Sequence, residues 1–500
     1  VWCVVAAIID AGDSLEALVA EGLRVLHRDW DDGLQVADAY LRGDFDDPYS
    51  PKGMLDEHRA MMRRARQNWC EIPVNAATQA LAVDGFRSGD QRAGGERSSE
   101  SPEWDLWQRS NLDAKQAQVH RSAVAYGQAF TVVERGEGGR AYVRVLSALR
   151  TVCLFEDALS DDNAILALSV MRHPGFGPDG RPKPGLAVAW DRYNRYDVVL
   201  PNGGGEPVVG PGVAHGGAGH CPVTRFVSQM DDEGRVQGAV LPLKHWQDSF
   251  NQMLFNLLLE QSHGAHRVLW ATGLEPAVAV DADGMPVVGA DGGVVRQPIA
   301  AGPGDFLVNS SPDGKFGSLP VGDQSGYIAA MDALIKDFSA ISQTPPNFLL
   351  GQMANLSADA LNAAEKSFRR KLELYRTQFG ESWERTLRVG MILEGRAERD
   401  QWEHNEVLWR DLESAALSQT ADALSKLREI GVPSRGLWEM VPGVSPVQLD
   451  RWDELSVSER LGSDFGAAVR GFSAMGAQDA LDGPVTPVEG EPVSLDGGVL

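Results

Sequence analysis

Residues 341–389 read ISQTPPNFLLGQMANLSADALNAAEKSFRRKLELYRTQFGESWERTLRV, the end of one helical run, a proline pair, and a second and longer helical run. Upstream, Tyr327, Ile328, Met331, Leu334, Ile335, Phe338 and Ile341 recur every three or four residues, which places one apolar stripe on a helix. Thr344-Pro345-Pro346 ends that helix. Proline has no N–H to donate and biases the residue before it away from helical geometry. A loop is then expected through Leu356, with Ser357 suited to cap a new helix and Asp359 in its first turn, where negative charge meets the helix dipole. Leu361, Phe368, Leu372, Tyr375, Phe379, Trp383, Leu387 and Met391 carry the second apolar face. At 1.5 Å per residue that helix spans roughly 50 Å.

Periodicity alone is satisfied by a helical hairpin in an ordinary core. The wording of residues 341–389 goes further and resembles the portal proteins of long-tailed double-stranded DNA phages, particularly those infecting actinobacteria. Two earlier stretches carry the same resemblance: NWCEIPVNAATQALAVDGF at 68–86, where the family has a helix ending in a Gly-Phe turn, and WDLWQRSNLDAKQAQVHRSAVAYGQAFTVVE at 104–134. The likeness runs in order from about residue 50 to residue 455.

The resemblance implies an α+β portal fold of wing, stem, clip and crown that closes into a ring, usually of twelve copies, at one capsid vertex. It divides this chain into an N-terminal wing region (1–236), a first stem helix (237–264), a β-rich clip (265–322), a second stem helix (323–342), a tunnel loop (343–357), a long wing helix (358–396), a helical crown (397–470) and an acidic tail (471–500). The loop would face the duplex through Gln343, Thr344, Asn347, Gln352 and Asn355 around Pro345 and Pro346, with Lys336 a candidate for the channel wall. Double-stranded DNA would enter and leave through the ring. The implied partners are the terminase large subunit, the head–tail adaptor, and the major capsid and scaffold proteins. The implied location is the virion, after assembly in the host cytoplasm.

Composition fits a globular chain with a large core: 43% hydrophobic and 23% charged over 500 residues. The net charge of −24 argues against a surface that grips nucleic acid, because such grip comes from Lys and Arg neutralising phosphates. It suits a conduit, whose wall must not stick to DNA; acidity for solubility alone reads equally well. Cys3, Cys70, Cys153 and Cys221 are isolated, with no zinc or disulfide spacing. Val1–Ile9 is apolar but far shorter than the ~20 residues of a membrane span, so no membrane partner is expected.

A helix is expected over 13–28 and another around 51–69, with His58 on its apolar stripe and Arg63, Arg64 and Arg66 towards the other face. Strands are expected at Ala129–Val133, Ala141–Val145, Thr151–Phe155, Ile165–Met171, Leu186–Trp190 and Tyr196–Leu200. Leu241–Ser262 reads as a helix whose apolar face, widened by Phe255 and Leu259, needs covering on more than one side. Between the stem helices, short strands at Val268–Ala271, Ala277–Val280, Pro286–Val288 and Phe306–Val308 alternate with Asp-Gly turns, and no internal repeat is evident. Residues 396–410 are charged, a helix follows from Ser418 to Gly431, and the 471–500 tail reads as disordered.

No catalytic, cofactor or metal site emerges. Glu156, Asp157, Asp161 and Asp162 match no calcium loop, and His215, His220 and Cys221 lack a fourth ligand and regular spacing. Asp313-Gly314-Lys315 is followed by Phe316, so there is no phosphate-binding GxxxxGK[ST], and translocation would draw its energy from a partner ATPase. Neither HExxH nor GxSxG occurs. Two other readings remain open at this stage: a different virion protein such as a minor head protein, and a hydrolase or transferase whose site assembles only in three dimensions.

Overall fold

The computed structural model describes residues 13–50, 56–87, 101–265, 269–272, 278–289, 292–296, 315–318, 324–350, 358–396, 406–410, 417–441, 444, 448–449 and 451–458. In chain order come α1 (Leu15–Asp29), α2 (Gln35–Leu41), α3 (Asp56–Ala65), α4 (Glu71–Ala80), β1 (Val83–Arg87), α5 (Pro102–Arg109), α6 (Leu112–Tyr126), β2 (Gln128–Arg135), β3 (Ala141–Leu146) and β4 (Thr151–Leu154). Then follow β5 (Leu166–Arg172), β6 (Gly175–Phe176), β7 (Pro182–Lys183), β8 (Gly185–Trp190), β9 (Asn194–Leu200), β10 (Val208–Val209), β11 (Val213–Ala214) and β12 (Val223–Val227). The C-terminal half holds α7 (Lys244–Ala265), β13 (Leu269–Thr272), β14 (Lys315–Ser318), α8 (Gln324–Ser342), α9 (Pro346–Leu350), α10 (Ala358–Glu394), β15 (Glu406–Trp409), α11 (Leu417–Glu429) and α12 (Ser434–Glu439). The class is α+β, as the sequence implies. The chain divides into two compact units, one of Val1–Leu81, Ala117–Val132 and Val145–Ser382, the other of Ala82–Gln116, Val133–Arg144 and Trp383–Leu500.

The first unit is built on an antiparallel sheet in the order β10-β9-β8-β5-β4, with β11 on β9. Its middle strands are apolar on both faces because both faces are covered. Leu18, Val19, Val25 and Leu26 of α1 meet Leu166, Leu168, Ala187 and Val198 on one side. Phe130 and Val132 of β2, with Val223 of β12, meet Ala167, Val188 and Trp190 on the other. Ser14 caps α1 by accepting the Ala17 N–H at 3.2 Å. Gly127 joins α6 to β2 at φ +92°, a left-handed turn, and an added Cβ would lie 2.7–2.9 Å from Val236 and the Gln237–Gly238 backbone.

In the helical part of this unit, Met62 and Ala65 of α3 bury against Phe255 of α7. Trp69 packs on Phe250 of α7 and on Phe338 of α8, with ring centroids 4.2 and 6.2 Å away. The fully buried Gln247 of α7 clamps the segment before α4: its Oε1 accepts the Trp69 N–H at 2.8 Å and its Nε2 donates to the Gln67 carbonyl at 2.5 Å. A polar side chain in that core is tolerable because it saturates backbone groups that no helix or strand serves. The other apolar side chains of α7 are incompletely covered. Phe250 and Phe255 are buried, whereas Met253, Leu254, Leu257, Leu258 and Leu259 stay partly exposed.

Beyond α7, residues 278–289 and 292–296 form a small closed unit of three short strands. The Ala279 N–H donates to Val295 O, Val295 N–H to Val287 O, and Val287 N–H to Ala279 O, each at 2.8 Å. Each strand thus pairs with both others, and Gly284 and Gly292, at φ +78° and +76°, turn the chain between them. Asp283-Gly284 and Asp291-Gly292 stand eight residues apart, and the ring of hydrogen bonds makes this stretch a structural unit. Phe306–Val308 lies outside the described residues.

The second unit holds an aromatic cluster. Trp107 is fully buried, edge-on to Trp383 at 4.9 Å and to Phe86 at 5.1 Å, and stacked on Trp104 at 6.4 Å. Glu394 is held at 2.8 Å by Arg109 Nη2 and accepts the Ala141 N–H at the same distance. Here the structure corrects two expectations. Gly85-Phe86 is no turn; it lies inside β1, which pairs antiparallel with β15, so part of the charged 396–410 stretch is a strand. Glu406 and Val407 alternate outward and inward against β1, and a four-residue strand with one buried apolar side chain leaves little periodicity to read. The expected helix near 418–431 is present as α11, ending at Gly431 with φ +93°, and α12 follows it. The acidic tail 471–500 lies outside the described residues.

Candidate functional site

The joint between α8 and α10 begins with a helix terminus that has no glycine. Gln343 sits at φ +52°, its N–H donating to Ala340 O at 3.3 Å, while the Thr344 N–H reaches back to Ser339 O at 3.1 Å. That pair of bonds is the Schellman arrangement, which normally places glycine where Gln343 stands. Side chains reinforce it. Ser339 Oγ donates to Thr344 O at 2.6 Å and Thr344 Oγ1 donates to Ser342 O at 3.3 Å, all three residues being buried.

The proline pair does not open a loop at once. Pro346 starts α9, a single helical turn through Leu350, with the Phe348 N–H bonded to Pro345 O at 3.1 Å. Proline is tolerated in the first turn of a helix, where its missing N–H has no partner to lose. The rule that prolines break helices therefore describes the end of α8 and misses the start of α9.

Of the loop residues expected to face DNA, Gln343 is exposed, Thr344 and Pro345 are buried, and Pro346 and Asn347 are half-buried. Asn347 Oδ1 is itself buried without a hydrogen-bond partner among the described residues. Gln352 and Asn355 lie outside the described residues. Phe348 is 47% exposed and rests on Phe368 of α10, ring centroids 5.8 Å apart. Lys336 is exposed on α8. On the same helix Ile328 and Ile341 are 54% and 46% exposed, while Ile335 and Phe338 are buried. The apolar stripe read from the sequence is thus wider than the surface one copy covers.

Lys371 of α10 joins this site without having been singled out in the sequence. Its Nζ donates to Ser342 O, at the last turn of α8, at 2.8 Å, and lies 5.8 Å from the centre of the Tyr375 ring. Burial pulls its ammonium down to about 8 and pushes the Tyr375 phenol up to about 12. The signal was available. Lys371 follows Phe368 by three and precedes Tyr375 by four, so it shares their buried face; within the run Arg369-Arg370-Lys371 it reads instead as one more solvated charge.

Elsewhere the polar clusters are structural. Asp157 and Asp161 close an acidic turn, the Asp157 N–H donating to Asp161 Oδ2 at 3.1 Å, and Glu156 pairs with Arg192 at 3.2 Å. His215 Nδ1 accepts the Gly217 N–H at 3.0 Å and Cys221 is buried. No group of three metal-ligating side chains converges among the described residues. His120 is fully buried, stacked on Phe379 at 5.4 Å, and burial lowers its imidazole to about 4. That environment is a packing role. Among the described residues no helix is long and apolar enough to cross a membrane.

Residues 34–458 match the family described as "Phage portal protein, SPP1 Gp6-like". The chain is 23% identical over 421 residues to the portal protein of Mycobacterium phage L5, covering 80% of each chain. It is 23% identical over 425 residues to the portal protein of Mycobacterium phage D29, covering 80% of this chain and 81% of that one.

Proposed function

This chain belongs to the SPP1 Gp6-like phage portal family, and from that premise we propose how its parts serve the passage of DNA. Membership makes it a structural, non-enzymatic component of the phage capsid. The reading is carried by a family match that covers α2 through the last described helix without a break.

In this reading copies of the chain, twelve in the usual case, close into a ring at one capsid vertex. α7 and α8 form the stem, residues 265–322 the clip, 343–357 the tunnel loop, α10 the long wing helix and 397–470 the crown. Two observations support the ring. α7 leaves much of its apolar face partly exposed, and α8 exposes Ile328 and Ile341; an apolar surface of this kind is stable once a neighbouring copy removes it from water. Charge supports the conduit, since a net −24 per copy repels the duplex instead of holding it.

The loop would meet DNA through Gln343 and Asn347 and through Gln352 and Asn355 beyond them, while buried Thr344 and Pro345 form its base. Lys336 on the exposed side of α8 is proposed as a channel-wall charge. The clip is proposed to dock the terminase motor and later the head–tail adaptor, and the outer surface to meet capsid and scaffold proteins during assembly in the host cytoplasm. Imaging of the purified full-length chain by cryo-electron microscopy tests this. A closed ring with α8 and the 343–357 loop at the central hole is expected. A particle with the proline pair far from any symmetry axis refutes it.

A further inference from the structure

The contact between Lys371 and the end of α8 sets a charged side chain on an otherwise apolar face. A buried ammonium costs desolvation energy, and every neighbouring position on the inward face of α10 is apolar: Phe368, Leu372, Tyr375 and Phe379. An uncharged side chain of similar length would fill the same space. What the lysine adds is a donor aimed at one atom, Ser342 O, among the last carbonyls of α8 that have no partner within the helix. The other bonds at this terminus are local, between residues 339 and 344. Lys371 is the tie to a different helix, 29 residues further along the chain. A positive charge at a helix C-terminus also matches the sign of the dipole there.

We propose that Lys371 is the positioning residue that sets the direction in which the chain leaves α8, by tying the Ser342 carbonyl to α10. Its consequence for DNA passage rests on the portal reading above; the tie itself does not. Gln343 in the left-handed conformation, with Thr344 and Pro345 buried, makes the exit from α8 a defined elbow, and Lys371 joins that elbow to the long helix. The groups that contact the ammonium are the Ser342 carbonyl and the Tyr375 ring, and no carboxylate contacts it among the described residues. The tie is therefore sensitive to pH. With the ammonium lowered to about 8 by burial, the charged donor is lost as pH rises through that value.

Hydrogen exchange on the full-length protein tests the assignment, comparing wild type with Lys371→Met and Lys371→Arg. In Lys371→Met the Gln343 and Thr344 amides are expected to exchange about tenfold faster, the size of one charge-assisted hydrogen bond, with the middle of α7 and α10 unchanged. Lys371→Arg restores protection. In wild type, protection of the two amides, corrected for intrinsic exchange, falls between pH 7 and 9, and in Lys371→Arg it stays level. Unchanged exchange in Lys371→Met, or loosening spread evenly along α8 and α10, overturns the proposal. If Lys371→Met does not fold, the two pH profiles decide alone. Packaged DNA in phage carrying each variant separates the two readings: loosened amides with full packaging leave the tie standing and remove the loop from DNA passage.

Discussion

Gln343 carries a conformation that its neighbours impose on it. At φ +52° a side chain with a Cβ is strained, and the hydrogen bonds from Thr344 and Ser339 hold it there. Gln343→Gly is therefore expected to raise stability by about 1 kcal/mol, read as a higher urea midpoint with an unchanged slope. A second single-residue effect concerns Asp29, 1% exposed at the end of α1, whose carboxyl burial raises to about 7 against the opposing pull of Arg28 and Arg225. Because the folded state favours the protonated form, stability is full below about pH 4 and declines as pH rises towards 7. Asp29→Asn should thus gain on wild type with pH, by on the order of 4 kcal/mol between pH 4 and pH 8, in thermal melts across that range. Neither Asp29 nor Lys371 was legible beforehand. Asp29 reads as an ordinary last-turn residue, and Lys371 as part of a basic run, until the sheet and α8 are laid over them.

Elements were more legible than residues. α1, α7, α8 and α10 all stand where their three-and-four spacing places them, and the strands from Ala141 to Leu200 where their Val, Leu and Ala runs lie. Short elements were not. β15 and α9 are four and five residues long and owe their form to a partner strand and to a proline at a first turn. The junctions between elements are tight at two glycines. Gly238 approaches the carbonyl of Ala125 and the backbone of Tyr126 so closely that a Cβ cannot be fitted there without moving main chain. Gly238→Ala is expected to cost roughly 2–3 kcal/mol, seen as a lower melting temperature, and Gly127→Ala no less, since it adds a disallowed φ to the clash. Phe348→Ala removes one half-exposed ring pair and should lose only about 1 kcal/mol, so on the tunnel-loop reading any larger effect on DNA packaging would belong to the loop.

For the whole molecule, the surfaces left uncovered matter most. Ile328 on α8 is 54% exposed and contributes little to the fold of one copy. On the ring reading Ile328→Glu should leave the melting temperature within a degree or two of wild type and abolish the ring, with mass photometry showing free protomers. A ring that survives the substitution would place α8 away from the contact between copies. The sequence by itself determined the class of the chain, its long helices and the family, because these rest on periodicity and on wording spread over hundreds of residues. It also located the proline-marked joint as the place to look. Only the tertiary structure decided that Thr344 and Pro345 are the buried members of that joint, and that Lys371 of α10 hydrogen-bonds the Ser342 carbonyl. The physical reason is the range of the interactions: a helix stripe is written within seven residues, whereas the partner of the Ser342 carbonyl lies 29 residues away and is chosen by packing.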